Sequence, residues 1–145
     1  ETIQKMSEYF VLLRNRYKMT PVVIQQQAFF ENVAATQANL LKPELVNLAD
    51  CKYTARDIDI CLGLFSPYKH NLPMYMGYNI TKFRDKIRFL EVLANRNGIS
   101  NGTIALYFNG ASCFFQELPR PEDSLIEKWY KFIEQKIFLF IHKLT

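Results

Sequence analysis

The residue with the clearest chemical potential is Arg96, in the triplet Arg96-Asn97-Gly98. An arginine is charged at every physiological pH, and its planar fork of donors matches phosphate and carboxylate oxygens. The triplet breaks an apolar run, Phe89–Asn95, that has Leu90, Val92 and Ala94 on one face. It therefore reads as a guanidinium at the tip of a rigid sheet, and a turn arginine in solvent is the plainer alternative. Three glutamines, Gln25, Gln26 and Gln27, close the β-branched run Pro21–Ile24. Polar side chains at the carboxyl end of a parallel strand sit where open α/β sheets bind ligands, although a solvated strand end looks the same. Asp57 and Asp59 introduce a continuous apolar run to Phe65. Lys82, Arg84, Lys86 and Arg88 recur at every second position. In an extended segment they share one face and form a phosphate track; a charged sheet edge that discourages aggregation is the competing reading.

Several other chemistries lack their residues. There is no G-x-x-x-x-G-K-[ST] phosphate loop, no G-x-S-x-G elbow and no H-E-x-x-H pair. His70 and His142 have no Cys or His partner at metal-ligand spacing, so no metal site is expected. Cys51, Cys61 and Cys113 are odd in number without C-x-x-C spacing, and read as reduced, small apolar residues of a cytoplasmic protein. The 145 residues suggest one domain, and 49% hydrophobic with 14% aromatic content can build a core. A net charge of +4 permits a nucleic-acid partner without requiring one. No signal peptide and no apolar span of about 18 residues is present, so no membrane is expected. The chain opens at Glu1 inside a helical pattern and reads as a fragment of something longer.

These residues need elements to hold them. Ile3, Met6, Phe10, Leu13 and Tyr17 give one face of an amphipathic helix from about 2 to 18, ended by Thr20-Pro21. Arg14, Arg16 and Lys18 crowd its last turns, where the helix dipole favours cations. Strands are predicted near 21–26, 58–65, 87–95, 103–108 and 113–116, the first parallel to its neighbours and the last two paired as a hairpin. Asn109-Gly110 is the expected type I′ turn. Residues 28–43 and 66–79 read as loops. Ser124 and Glu127 fit a capping box opening a helix to about 144, with Ile126, Trp129, Ile133, Ile137, Phe140 and Leu144 as its stripe. Its apolar residues spread round more than one stripe, which predicts packing on the chain's own sheet or on a second copy.

Taken in order, TPVVIQQQ, NLADCKYTARDIDICLGLF, LANRNG and NGTIALYFNGASCFFQELP resemble the second half of the RecA-like ATPase domain of DnaB-type replicative helicases. The resemblance covers about residues 1–119 and leaves 120–145 as a helical extension. It implies an α/β fold: a partial RecA-like mixed sheet ending in an antiparallel hairpin. In that family ATP and Mg bind between identical subunits of a ring. The resemblance then makes Arg96 a trans-acting arginine finger, Gln26 a γ-phosphate sensor, and Asn97, Gly98 and Asp57 neighbours of the nucleotide. Single-stranded DNA would meet the ring-centre loops, part of 28–48, and the basic track Lys82, Arg84 and Lys86; a helicase loader is a further expected partner. Without a phosphate loop, this chain is expected to be inactive alone and to hold no nucleotide tightly. The family's lysine before the finger falls on Ala94, its upstream arginine-glutamate pair falls on Ala49 and Asp50, and an extra residue sits in Ile99-Ser100-Asn101. A non-catalytic RecA-like remnant acting in DNA binding or replisome assembly is the alternative, and a related ring ATPase such as a recombinase is a third.

Overall fold

The computed structural model describes residues 2–25, 42–45 and 56–142. The elements are α1 (Thr2–Tyr17), β1 (Ile60–Phe65), β2 (Met74–Tyr75), β3 (Tyr78–Asn79), α2 (Ile80–Phe83), β4 (Ile87–Asn95), β5 (Thr103–Asn109), β6 (Phe114–Glu117) and α3 (Leu125–His142). Four strands form one sheet in the order β1-β4-β5-β6, antiparallel throughout, and β2-β3 is a separate hairpin. Among the described residues, no helix is long and apolar enough to cross a membrane. The chain divides into two compact units. One holds Glu1–Asn32, Pro43–Gly63 and Val92–Gly102, and the other Val33–Lys42, Leu64–Glu91 and Thr103–Thr145.

The second unit carries the core. Period-two alternation puts Ile87, Phe89 and Glu91 of β4 on one face, with Ala105 and Tyr107 of β5 beside them. Phe89 and Phe83 are wholly buried, and Tyr75 and Tyr78 meet Phe89 edge-on at 4.7 and 5.6 Å. Edge-on contact sets the positive ring edge against the negative face. The helix α3 lies over this layer through Ile126, Tyr130 and Ile133, spaced as one helical face, and the Tyr130 ring packs against Phe83 at 5.0 Å. Self-packing of the last helix is therefore what the chain does. Each large side chain so buried contributes about 1.5–3 kcal/mol.

Glu91 is the one carboxylate in this apolar layer, 2% exposed. It accepts hydrogen bonds from Thr103 Oγ1 (2.6 Å) and Tyr75 Oη (3.2 Å), and Lys42 Nζ lies 3.2 Å away. Thr103 is the residue directly opposite Glu91 in the β4–β5 register. Burial first, and the Glu91 charge second, push the Tyr75 phenol well above its ordinary 10.0.

Four local expectations are corrected. Residues 21–25 form no strand, and Val22 and Ile24 are 84% and 95% exposed. Their β-branched side chains favour a strand only where a neighbour supplies a ladder and cover, and the parallel partner expected for 21–26 is absent at 21–25. Residues 80–86 are helical, not extended, because Asn79 Oδ1 accepts the Lys82 N–H and caps a turn of helix. The β5–β6 connection is a four-residue loop rather than a tight Asn-Gly turn. Asn109 acts as the first residue of a type I turn: its Oδ1 accepts from Ala111 N, its carbonyl from Ser112 N, and Cys113 takes the left-handed conformation. The two-residue turn with positive φ at both positions is instead Met76-Gly77, between β2 and β3. Finally, Asp123, not Ser124, caps α3, its Oδ1 accepting from Leu125 N at 2.8 Å.

Two measurements test this fold. Glu91→Ala is expected to lower unfolding free energy by about 1–3 kcal/mol, the cost of stranding the Thr103 and Tyr75 hydroxyls; Glu91→Gln, which keeps an acceptor, should lose less in urea titrations. The raised Tyr75 pKa stabilises the fold fully below the ordinary phenol value and is lost as pH rises through the folded value. Tyr75→Phe should therefore flatten the fall in stability seen above pH 10.0.

Candidate functional site, an arginine cluster at the tip of β4

The first unit brings three guanidiniums to two carboxylates. After β4 the chain turns at Arg96–Gly98, and the Arg96 N–H donates to the Asp59 carbonyl at 2.9 Å, extending the β1–β4 ladder by one rung. That main-chain bond fixes where the Arg96 side chain starts. Its guanidinium donates to the Arg56 carbonyl and lies 3.7 Å from Asp59 Oδ1, with half its side chain still exposed. Arg14, on the last turns of α1, takes the other Asp59 oxygen at 2.7 Å and reaches the Asp57 carbonyl at 3.3 Å. Arg56 pairs with Asp57 Oδ1 at 3.0 Å, and the buried Ser7 donates to Asp57 Oδ2 at 2.8 Å.

The electrostatics follow. The Arg56 hydrogen bond foremost, then Ser7, hold the Asp57 carboxyl below its ordinary 3.8, against an opposing effect of burial; the charges of Arg56 and Arg96 act in the same direction as the hydrogen bonds. Asp59 holds the Arg96 guanidinium at its inner edge, and half of the side chain remains presented to solvent. A pre-positioned fork of this kind can accept a phosphate or carboxylate with little loss of side-chain freedom.

The tip itself is shaped by short polar residues. Asn95 Oδ1 accepts from Asn97 N at 3.2 Å, an Asx turn, and its Nδ2 donates to the Ile99 carbonyl. A Cβ on Gly98 would stand 2.7 Å from Asn95 Nδ2, so glycine leaves room for that side chain. Beyond the tip, Val92 N donates to the Gly102 carbonyl while Val92 O accepts from Asn101 N, both at 2.8 Å. Two residues thus oppose one, and Asn101 is left-handed at φ 64, a β-bulge.

Of the residues singled out from sequence, Arg96, Asn97, Gly98 and Asp57 lie together in this unit. Lys82, Arg84 and Lys86 belong to the other unit, and helical backbone scatters them: Lys82 Nζ lies 4.8 Å over the Tyr130 ring and Arg84 is the cap residue of α2, at φ 53. The shared face deduced from their alternation does not form. Arg88 is buried, bonded to Asp85 and laid over Phe108. Gln26 and the ring-centre residues 28–41 and 46–48 lie outside the described residues. Sequence reasoning missed Arg14, Arg56 and Ser7. Arg14 reads from sequence as a cation serving the helix dipole, yet the Asp57-x-Asp59 pair ahead of an apolar strand already required cations from elsewhere.

If the Asp59 carboxylate organises the cluster, Asp59→Asn should release both Arg14 and Arg96 while leaving the backbone rung. The expected readout is faster proteolysis of the α1 segment with unchanged unfolding of the β5–β6 core. For Asp57 the depressed pKa means stability present above 3.8 and lost as pH falls through the folded value. Ser7→Ala should raise that acid midpoint, measured by carboxylate NMR titration.

None of the family models, curated proteins and solved structures compared with this chain matches it.

Proposed function

We propose that this chain is a non-catalytic binding module that contacts the phosphates of single-stranded nucleic acid through Arg96. The observation that carries the reading is the convergence of Arg14, Arg56 and Arg96 on Asp57 and Asp59, with the Arg96 side chain half exposed. The carboxylates fix the inner geometry, and the outward donors of Arg96 fit phosphodiester oxygens. The net charge of +4 adds a weak, long-range attraction for a polyanion. The basic end of α1, Arg14, Arg16 and Lys18, follows the same sign. This agrees with the alternative drawn from the DnaB-type resemblance, a remnant kept for DNA binding or replisome assembly.

The catalytic reading of the same residue is an arginine finger acting on ATP held by a neighbouring subunit. It is favoured by the position of Arg96 at the tip after β4, as the resemblance implies, and by its exposed edge. One observation weighs toward binding. Residues 21–25, assigned by resemblance to the sensor strand, are not in a strand.

Fluorescence anisotropy with labelled oligo(dT) tests the proposal. Affinity should fall with salt, and Arg96→Ala should weaken binding and flatten the log–log salt slope by about 0.7 for each phosphate left without its arginine. Arg96→Lys should restore the slope but only part of the affinity. Binding that is salt-independent, or unchanged in Arg96→Ala, refutes it. A parent ring whose ATP hydrolysis collapses in Arg96→Ala, with DNA affinity intact, would move the residue to the finger role.

A further inference from the structure

The order β1-β4-β5-β6 leaves β6 with no strand on its outer side among the described residues, and all four of its residues are exposed. The hydrogen-bond register says which main-chain groups face outward. Leu118 N donates to the Ala105 carbonyl at 2.8 Å, and Leu106 stands opposite Glu117 and Tyr107 opposite Gln116. Bonded and non-bonded pairs alternate in an antiparallel ladder. Gln116 therefore turns its N–H and C=O to β5, while Phe115 and Glu117 turn theirs outward. Four main-chain groups on two alternate residues are open to a further strand.

The helix side of that edge is also built. Gln116 together with Lys128, Trp129 and Phe132 of α3 lines an open cleft of about 350 Å³. Lys128, Phe132 and Lys136 are four residues apart on one helical row, and Lys136 Nζ lies 4.6 Å over the Phe132 ring. The cleft thus has aromatic walls and the Lys128 ammonium in its lining, with Lys136 further along the same row over the Phe132 ring.

We propose that β6 and α3 bind an extended peptide by strand addition. The peptide exchanges main-chain hydrogen bonds with Phe115 and Glu117. The peptide residue opposite Gln116 then points to the same face as Gln116, toward α3, and lays its side chain against the edge-packed Trp129 and Phe132 rings. The mouth charge selects an aromatic or large aliphatic side chain flanked by carboxylates. Charge decides against a second copy of this chain as the occupant: two-fold pairing through β6 would bring cationic cleft rims together, Lys128 and Lys136 against their own equivalents. Main-chain bonds supply affinity in such a mode and the alternate side chain supplies selectivity.

Trp129 is the only tryptophan in the chain and sits in the cleft, so its emission reports occupancy. The 145-residue chain is titrated with the capped peptide Asp-Thr-Val-Phe-Val-Thr-Asp, with a version carrying lysines at both ends, and with one in which the valines are prolines. The acidic peptide should shift the emission saturably, the lysine peptide should bind at least about tenfold more weakly, and the proline peptide should not bind. Glu117→Pro removes an N–H that β5 does not use; circular dichroism should stay native while affinity falls at least about tenfold. Lys128→Glu should reverse the preference between acidic and lysine peptides. Unchanged Trp129 emission at millimolar acidic peptide overturns the proposal, as does equal binding to native Glu117→Pro and Lys128→Glu. A concentration-dependent dimer in sedimentation without peptide, abolished by Glu117→Pro, also overturns it and gives the edge to a second copy.

Discussion

A single carboxylate sets the terms for the second unit. Glu91 is buried in a layer made otherwise of aromatic and aliphatic groups. A charge in such a place is tolerated only with its lone pairs engaged. The partners come from three separate parts of the chain: Thr103 opens β5, Tyr75 belongs to the β2-β3 hairpin, and Lys42 precedes β1. Slipping β5 by one residue would turn Thr103 to the other face and leave Glu91 short of a donor. The buried charge therefore specifies one register where the surrounding hydrophobic residues, being alike, would tolerate several. The aromatic rings supply the bulk of the stabilisation, and Glu91 selects among the arrangements they could adopt.

The arginine cluster obeys a different constraint, since its groups are partly solvated. Salt bridges of this exposure contribute little to stability individually. Their effect is positional. Arg14 ties α1 to the segment before β1, and Arg96 ties the β4 tip to the same segment through a main-chain rung and a side-chain contact. Asp59 is common to both. What looks at first like a pair of stray acidic residues is a joint between three pieces of chain, and it determines where the exposed edge of Arg96 stands.

How much of this was legible in the sequence depended on whether the signal was local. The α1 and α3 helices and strands β4, β5 and β6 lie within a residue or two of their expected bounds, because period and flanking residues define them without help. The failures share a cause. Val22–Ile24 has the composition of a buried strand, but a strand needs a neighbour, and composition does not say whether one is present. Lys82–Arg88 alternates like a strand, yet one hydrogen bond from Asn79 turns its first half into helix. Asn109-Gly110 is a turn signal that two turn types can use, and Asn109 uses its side chain to choose the longer one. For the site, Arg96 stood out through its position after β4. Its partners Arg14 and Arg56 did not, because ion pairs and hydrogen bonds spanning 40 to 45 residues leave no periodic mark.

The bulge at Asn101 and Gly102 separates two kinds of length. On one side of it, β4 and β5 are locked pair by pair from Ile87↔Tyr107 to Glu91↔Thr103. On the other side, the tip carries its Asx turn and Arg96. A residue gained or lost within the tip changes the count opposite Val92, where two residues already face one, and leaves the alternation of both strands untouched. The tip can therefore vary in length and chemistry as a cassette, grafted or shortened, while the buried side of the sheet keeps every side chain on its own face.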